Sequence, residues 1–185
     1  MIWEVTRDQK ATDSKDHARR SLLSLLGVDY LIRQAPGERV SRTGGIHFQH
    51  LEQSFPRTWI SHELVHFSPL KSSAPDKLRT RTEAIFFPGG KARDLRATAV
   101  IESASKPVFN SKPAENIPLA EACQIVKYQP QQVTIEAQLV EPGIVVLSDT
   151  YSQDWQATVA SKKGNGYQDS RPVPVYRTNR VMRGI

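Results

Sequence analysis

The chain has 185 residues, a length that suits one domain or two small ones and lets folding bury roughly 70% of the unfolded surface. With 38% hydrophobic residues and both charge signs interspersed, the composition excludes a disordered tail, and no run approaches the ~18 apolar residues of a membrane helix. Lys and Arg number 25 against 19 acids, a net charge of +6, and the single Cys123 excludes an internal disulfide.

The opening Met1-Ile2-Trp3-Glu4 runs straight into the polar TRDQKATDSKD, which does not read as a signal peptide. Ala18, Leu22, Leu25 and Leu26 share one helical face, so a short amphipathic helix is expected over 18–26, capped by Asp13 or Ser14 and stopped by Gly27. Alternation in VDYLI predicts a strand from Val28 to Ile32, closed by Pro36-Gly37, and a second strand follows Gly44-Gly45 at Ile46 to Leu51. The stretch RTWISHELVHF, bounded by Pro56 and Pro69, is rich in β-branched and aromatic residues and reads as extended. A second helix is expected at about Asp76 to Phe87, with Ser73 and Pro75 at its start and Pro88-Gly89-Gly90 after its end.

From Ala97 onward the period changes. ATAVIES, ACQIVKYQ, QVTIEAQLV, GIVVLSDT, WQATVAS and VPVYRTNRVM are short, β-prone segments separated by Pro, Gly or Asn, the spacing of an antiparallel sandwich or barrel. SKKGNGYQDSRP, Ser161 to Pro172, reads as a long hairpin loop. The fold expected is therefore mainly β within the α+β class: an antiparallel, jelly-roll-like β-sandwich with two short helices in the amino-terminal half. It is read as one domain over 1–185, with an α+β part at 1–96 and a β part at 97–185.

His62-Glu63-Leu64-Val65-His66 fits H-E-x-x-H. On a helix the two imidazoles would hold zinc while Glu63 served as general base, which makes a zinc-dependent hydrolase the alternative to a non-catalytic chain. In a strand the same histidines stand about 13 Å apart, too far to share a metal. No histidine follows His66 to supply a third ligand. No catalytic residue and no cofactor is assigned, and no G-x-S-x-G elbow or phosphate-cradling G-x-x-x-x-G-K-[ST] is present. His17, His47 and His50 are scattered. Cationic residues concentrate at Lys77, Arg79, Arg81, Lys91, Arg93 and Arg96, and again at Arg171, Arg177, Arg180 and Arg183. They read as solvated faces; a basic carboxy-terminal strand that docks a protein or membrane surface is a third reading, and no nucleic-acid partner is expected.

The aromatic set Tyr151, Trp155, Tyr167 and Tyr176 has two uses. Exposed rings offer saccharides a broad apolar face, with Asp149, Asp154 and Asn179 as hydroxyl partners. Trp155, Ala157 and Val159 alternate as an inward set, so Trp155 is assigned to the core and Tyr151 to the surface as the candidate ligand contact.

In order, LLSLLGVDYLI, FPRTWISHELVHF, ATAVIES, GIVVLSDTYSQDWQATV and VPVYRTNRVMRGI resemble the extracytoplasmic carboxy-terminal region of the YfhO-like bacterial membrane proteins, over nearly the whole chain. Asp154 stands where that family has Gly before the tryptophan, and SKKGNGYQD replaces its tight D-G turn. The resemblance implies an excised or incomplete domain on the outer face of a bacterial membrane, in the periplasm or at the cell surface. Its neighbour there would be a glycosyltransferase-like membrane part. The partners implied are a glycan or cell-envelope polymer and the parent membrane protein. An unpaired sheet edge in such a piece would invite dimerisation.

Overall fold

The computed structural model describes residue 28 and residues 30–34, 46–50, 54–108, 120–164 and 166–185. The expected helix at 18–26 and His17 lie outside these. Two compact units divide the chain, 1–55 and 56–185. The division falls at Pro56 rather than at residue 96, because strands on both sides of residue 96 belong to one sheet. In the first unit β1 (Tyr30–Gln34) pairs antiparallel with β2 (Ile46–His50), Tyr30 opposite His50.

The second unit is mainly β. RTWISHELVHF is extended as expected but forms two strands, β3 (Thr58–Ser61) and β4 (Glu63–Phe67), separated by His62. Helix α1 (Pro75–Phe86) follows, with Pro75 in the first turn, where its missing N–H costs nothing. A 3-10 turn, Pro88–Gly90, ends it, with Gly89 and Gly90 at φ +63° and +79°. Arg93 then reaches back, its Nε donating to the Ile85 carbonyl at 2.8 Å and its Nη2 to that of Ala84 at 3.3 Å. A cation here satisfies the helix's last carbonyls and opposes the negative end of its dipole.

The chain re-enters the sheet as β5 (Thr98–Glu102), parallel to β4 with Glu63 opposite Thr98. An all-antiparallel sheet was expected. The parallel pair follows from α1, since a crossover containing a helix returns the chain in its original direction. Every residue of β5 is buried, and Ala99, Val100 and Ile101 form the core with Ile85 and Phe86 of α1 and with Leu95. Burial of an Ile or Val side chain stabilises by about 1.5–3 kcal/mol, so this segment dominates the packing.

Beyond it run β6 (Ala122–Gln129), β7 (Gln132–Gln138), β8 (Ile144–Thr150), β9 (Ala157–Lys163), β10 (Gly166–Val173), β11 (Tyr176–Thr178) and β12 (Met182–Gly184). The main sheet has the order β3-β8-β12-β11-β5-β4, mixed because of the β4/β5 pair, while β6/β7 and β9/β10 are separate hairpins. These pairings give one six-stranded sheet with hairpins rather than a jelly-roll strand order. The residues read as a long loop are themselves strand: β9 and β10 continue to Lys163 opposite Gly166, with Gly164 at φ +60° in the turn. The polar run misled because this ribbon is exposed almost throughout, so its residues need not alternate in polarity.

Candidate functional site

Three neighbouring strands and a hairpin bring Arg57, Tyr128, Asp149, Trp155 and Arg183 together. Pro56 leads Arg57 into β3, where its carbonyl accepts from Ser148 N of β8 at 2.9 Å. On the other side of β8, Met182 opposes Thr150 but Arg183 opposes Leu147, so Ser148 and Asp149 bulge out of the ladder. Bulges re-aim side chains, and this one delivers the Asp149 carboxylate between two guanidinium groups. A second bulge on β6, between Ile125 and Lys127, resets the alternation so that Tyr128 reaches the same place.

Both oxygens of Asp149 are engaged. Its Oδ1 accepts from Arg57 Nη2, and its Oδ2 accepts from Arg183 Nη2 at 2.7 Å and from the Tyr128 hydroxyl at 3.2 Å. Arg57 Nη2 also donates to the Tyr128 oxygen at 2.9 Å, with its guanidinium carbon 4.4 Å from the Tyr128 ring centre. The two arginines differ in setting. Arg183 is 9% exposed, and burial holds its guanidinium below the ordinary value against the countering charge of Asp149. Arg57 is 54% exposed, and its bonds to Tyr128 and Asp149 raise it above the ordinary value. Tyr128 keeps 52% of its surface in solvent.

The expected ligand residues separate. Asp149 lies in this cluster. Tyr151 is half-buried beneath Arg177, whose guanidinium carbon is 5.2 Å from the ring centre. Asp154 is exposed in the β8–β9 turn and accepts from Ser152 Oγ at 2.8 Å. Asn179 is fully buried: its N–H donates to the Val100 carbonyl at 2.8 Å and its Oδ1 accepts from Val100 N at 3.0 Å, imitating a strand rung, so a ligand cannot reach it. The inward set is also corrected. Trp155 is half-buried but lies in the turn before β9, under Arg183, and Val159 is exposed. Among the described residues of this unit the well-exposed rings are Tyr128 and Tyr167 rather than Tyr151.

The HELVH residues also part company. His62 Nε2 meets Glu121 Oε2 at 2.9 Å, His66 Nε2 meets the Ser103 carbonyl at 2.9 Å, and Glu63 Oε2 accepts from Thr98 Oγ1 at 2.7 Å. With the backbone extended and each side chain committed elsewhere, these three do not form the helical zinc site that the motif requires. Of the basic carboxy-terminal residues, Arg180 binds buried Glu102 at 3.1 Å and Arg183 binds Asp149, while Arg171 and Arg177 are exposed.

Sequence reasoning missed Tyr128 and Arg183 as site members. Only the two bulges bring them there, and neither bulge has a signature in its residues. The chain matches no family model, no curated protein and no solved structure.

Proposed function

We propose that this chain is a non-catalytic, extracytoplasmic domain of a YfhO-like envelope protein that holds a glycan or polymer acceptor on the surface around Tyr128 and Arg57. The observation that supports the reading is the half-exposed Tyr128 ring beside an exposed guanidinium, held by a carboxylate engaged on both oxygens. It joins apolar area to hydrogen-bond donors on a rigid β frame. Preorganisation of this kind lowers the entropy lost on binding. Asp149 enters the reading as the anchor of that surface, and Tyr151, Asp154 and Asn179 drop out of it.

Titration with a panel of cell-envelope oligosaccharides tests the reading. Binding in the µM to mM range that Tyr128→Ala weakens at least tenfold is the expected result. Absence of any binder at mM concentrations would defeat it. Family and compartment are tested by the reading frame around the gene segment, where membrane-spanning segments upstream are expected. The flank of β4, an end of the six-stranded sheet, is where a second copy would add a strand if the domain dimerises.

A further inference from the structure

The strands of the β9/β10 ribbon pair only with each other and take no rung from the six-stranded sheet or from β6/β7. Every residue of β10 except Val173 is exposed, and in β9 only Ala157 and Ala160 are half-buried. A two-stranded ribbon without a covered face is marginally stable in water, so its position depends on what holds its two ends. At the root, Trp155 lies under Arg183 just before β9. At the far end, Lys162 and Tyr167 stand opposite each other in the ladder and converge on one carboxylate of β7: Glu136 Oε1 accepts from Lys162 Nζ at 2.7 Å and from the Tyr167 hydroxyl at 2.8 Å. The side chains of Ser161, Lys163, Gln168 and Arg171 have no hydrogen bond or ion pair among the described residues. Between root and tip β10 carries an extra residue, since Gln168 opposes Ser161 but Arg171 opposes Val159, and Asp169 sits there at φ +56°. A bulge bends the strand that holds it, and this one divides the distal ribbon that meets Glu136 from the proximal part that leaves Trp155.

We propose that the distal ribbon is a strap that lifts from β7 and returns to it as a unit, bending at the Asp169 bulge, with Glu136 as its latch. The latch is weak by construction. Lys162 is 56% exposed, and an ion pair in solvent contributes little because water competes for both charges and two long side chains lose freedom. Segments with few buried apolar contacts and solvent-exposed backbone bonds open at the low end of a protein's range of local stabilities. The rungs between β9 and β10 are internal to the strap, so lifting does not break them. By alternation Ala160 shares the Lys162 face, and it is half-buried between exposed Val159 and Ser161. Lifting therefore uncovers Ala160 and the Glu136 side of β7, which makes the ribbon a gate whose closure ionic strength sets.

NMR amide relaxation dispersion on the full chain tests this, on wild type, Glu136→Gln, Tyr167→Phe and Lys163→Gln. Wild type is expected to show one shared microsecond-to-millisecond exchange process at Ala160, Ser161, Lys162, Tyr167 and Gln168 and at Glu136. Glu136→Gln and Tyr167→Phe are expected to raise the open population about two- to fivefold, and added salt to raise it in wild type. Lys163→Gln, which removes a like charge one residue from the latch, leaves the population unchanged. The β9–β10 rungs keep their hydrogen-exchange protection throughout. Absence of exchange at these residues, exchange confined to the turn at Gly164, no rise in Glu136→Gln, an equal rise in Lys163→Gln, or opening accompanied by loss of the β9–β10 rungs overturns the inference. None of these outcomes bears on glycan binding at Tyr128.

Discussion

The guanidinium carbon of Arg183 lies 4.0 Å from the centre of the Trp155 ring while its Nη2 donates to Asp149 at 2.7 Å. One cation thus joins the last strand, the β8 bulge and the β8–β9 turn. Arg183→Ala would leave a largely buried carboxylate short of a partner, and a loss of about 3 kcal/mol is expected. Trp155→Leu removes only the ring contact and should cost about 1–2 kcal/mol. Urea unfolding checks both, and a double variant Arg183→Met with Asp149→Asn should recover much of the loss, because it removes the stranded charge.

Asn179→Ala is expected to destabilise by about 2 kcal/mol. It strips a buried acceptor from Val100 N in the centre of the core and places Ala at φ +45°, a conformation Asn tolerates better. Hydrogen exchange at the Val100 amide provides a local readout, with faster exchange in the variant.

Stability should also depend on the pairing of His62 with Glu121. Both imidazole nitrogens face acceptors, Nε2 the Glu121 carboxylate and Nδ1 the Pro142 carbonyl at 3.1 Å, so both contacts are hydrogen bonds only when the ring is protonated. Burial pushes His62 down, but the Glu121 and Pro142 bonds and the charges of Glu121 and Glu141 outweigh it and leave the pKa above its ordinary 6.5. Burial raises Glu121, yet its bonds from His62 and Val140 N leave it below its ordinary 4.5.

The signs follow by linkage. His62's raised pKa contributes stability that is complete below about pH 6.5 and lost as pH rises through the folded value. The lowered pKa of Glu121 contributes stability present above about pH 4.5 and lost as pH falls through its folded value. The pair is strongest between these limits. Because it is partly exposed, its contribution is about 0.5–1 kcal/mol. Melting at pH 5.5 and 8.0 should show wild type losing more stability than His62→Gln on that rise; equal losses would contradict the assignment.

Gly184→Ala is expected to cost about 2 kcal/mol by overpacking. A Cβ there would collide with Thr178 Oγ1 and press on Ile144 Cγ2 within the β8-β12-β11 part of the sheet. The thermal midpoint reads the loss, and Thr178→Ala in the same chain should restore part of it.

Much of the fold was legible from residue order. The Pro75 start and the Gly-Gly end marked α1, and the β-branched runs marked β5 through β8. The sheet's order was not, because pairing β4 to β5 rather than to a later strand depends on burial of the crossover helix, a property of the whole unit. The site was legible in part. Asp149 stood in the candidate set, but a one-residue bulge inverts which side chains share a face, and that moved Tyr128 in. Asn179 looked like a ligand residue because a polar side chain in a turn does not announce that it closes a backbone rung.

The central claim, a saccharide surface at Tyr128 and Arg57, is tested most directly by amide and side-chain NMR shift mapping of the full chain during titration with an envelope oligosaccharide. The expected result is saturable shifts at Tyr128, the Arg57 Nε–H and the Trp155 indole N–H, abolished by Tyr128→Ala. Saturable shifts confined to the β9–β10 ribbon around Tyr167, or none at mM ligand, would contradict it.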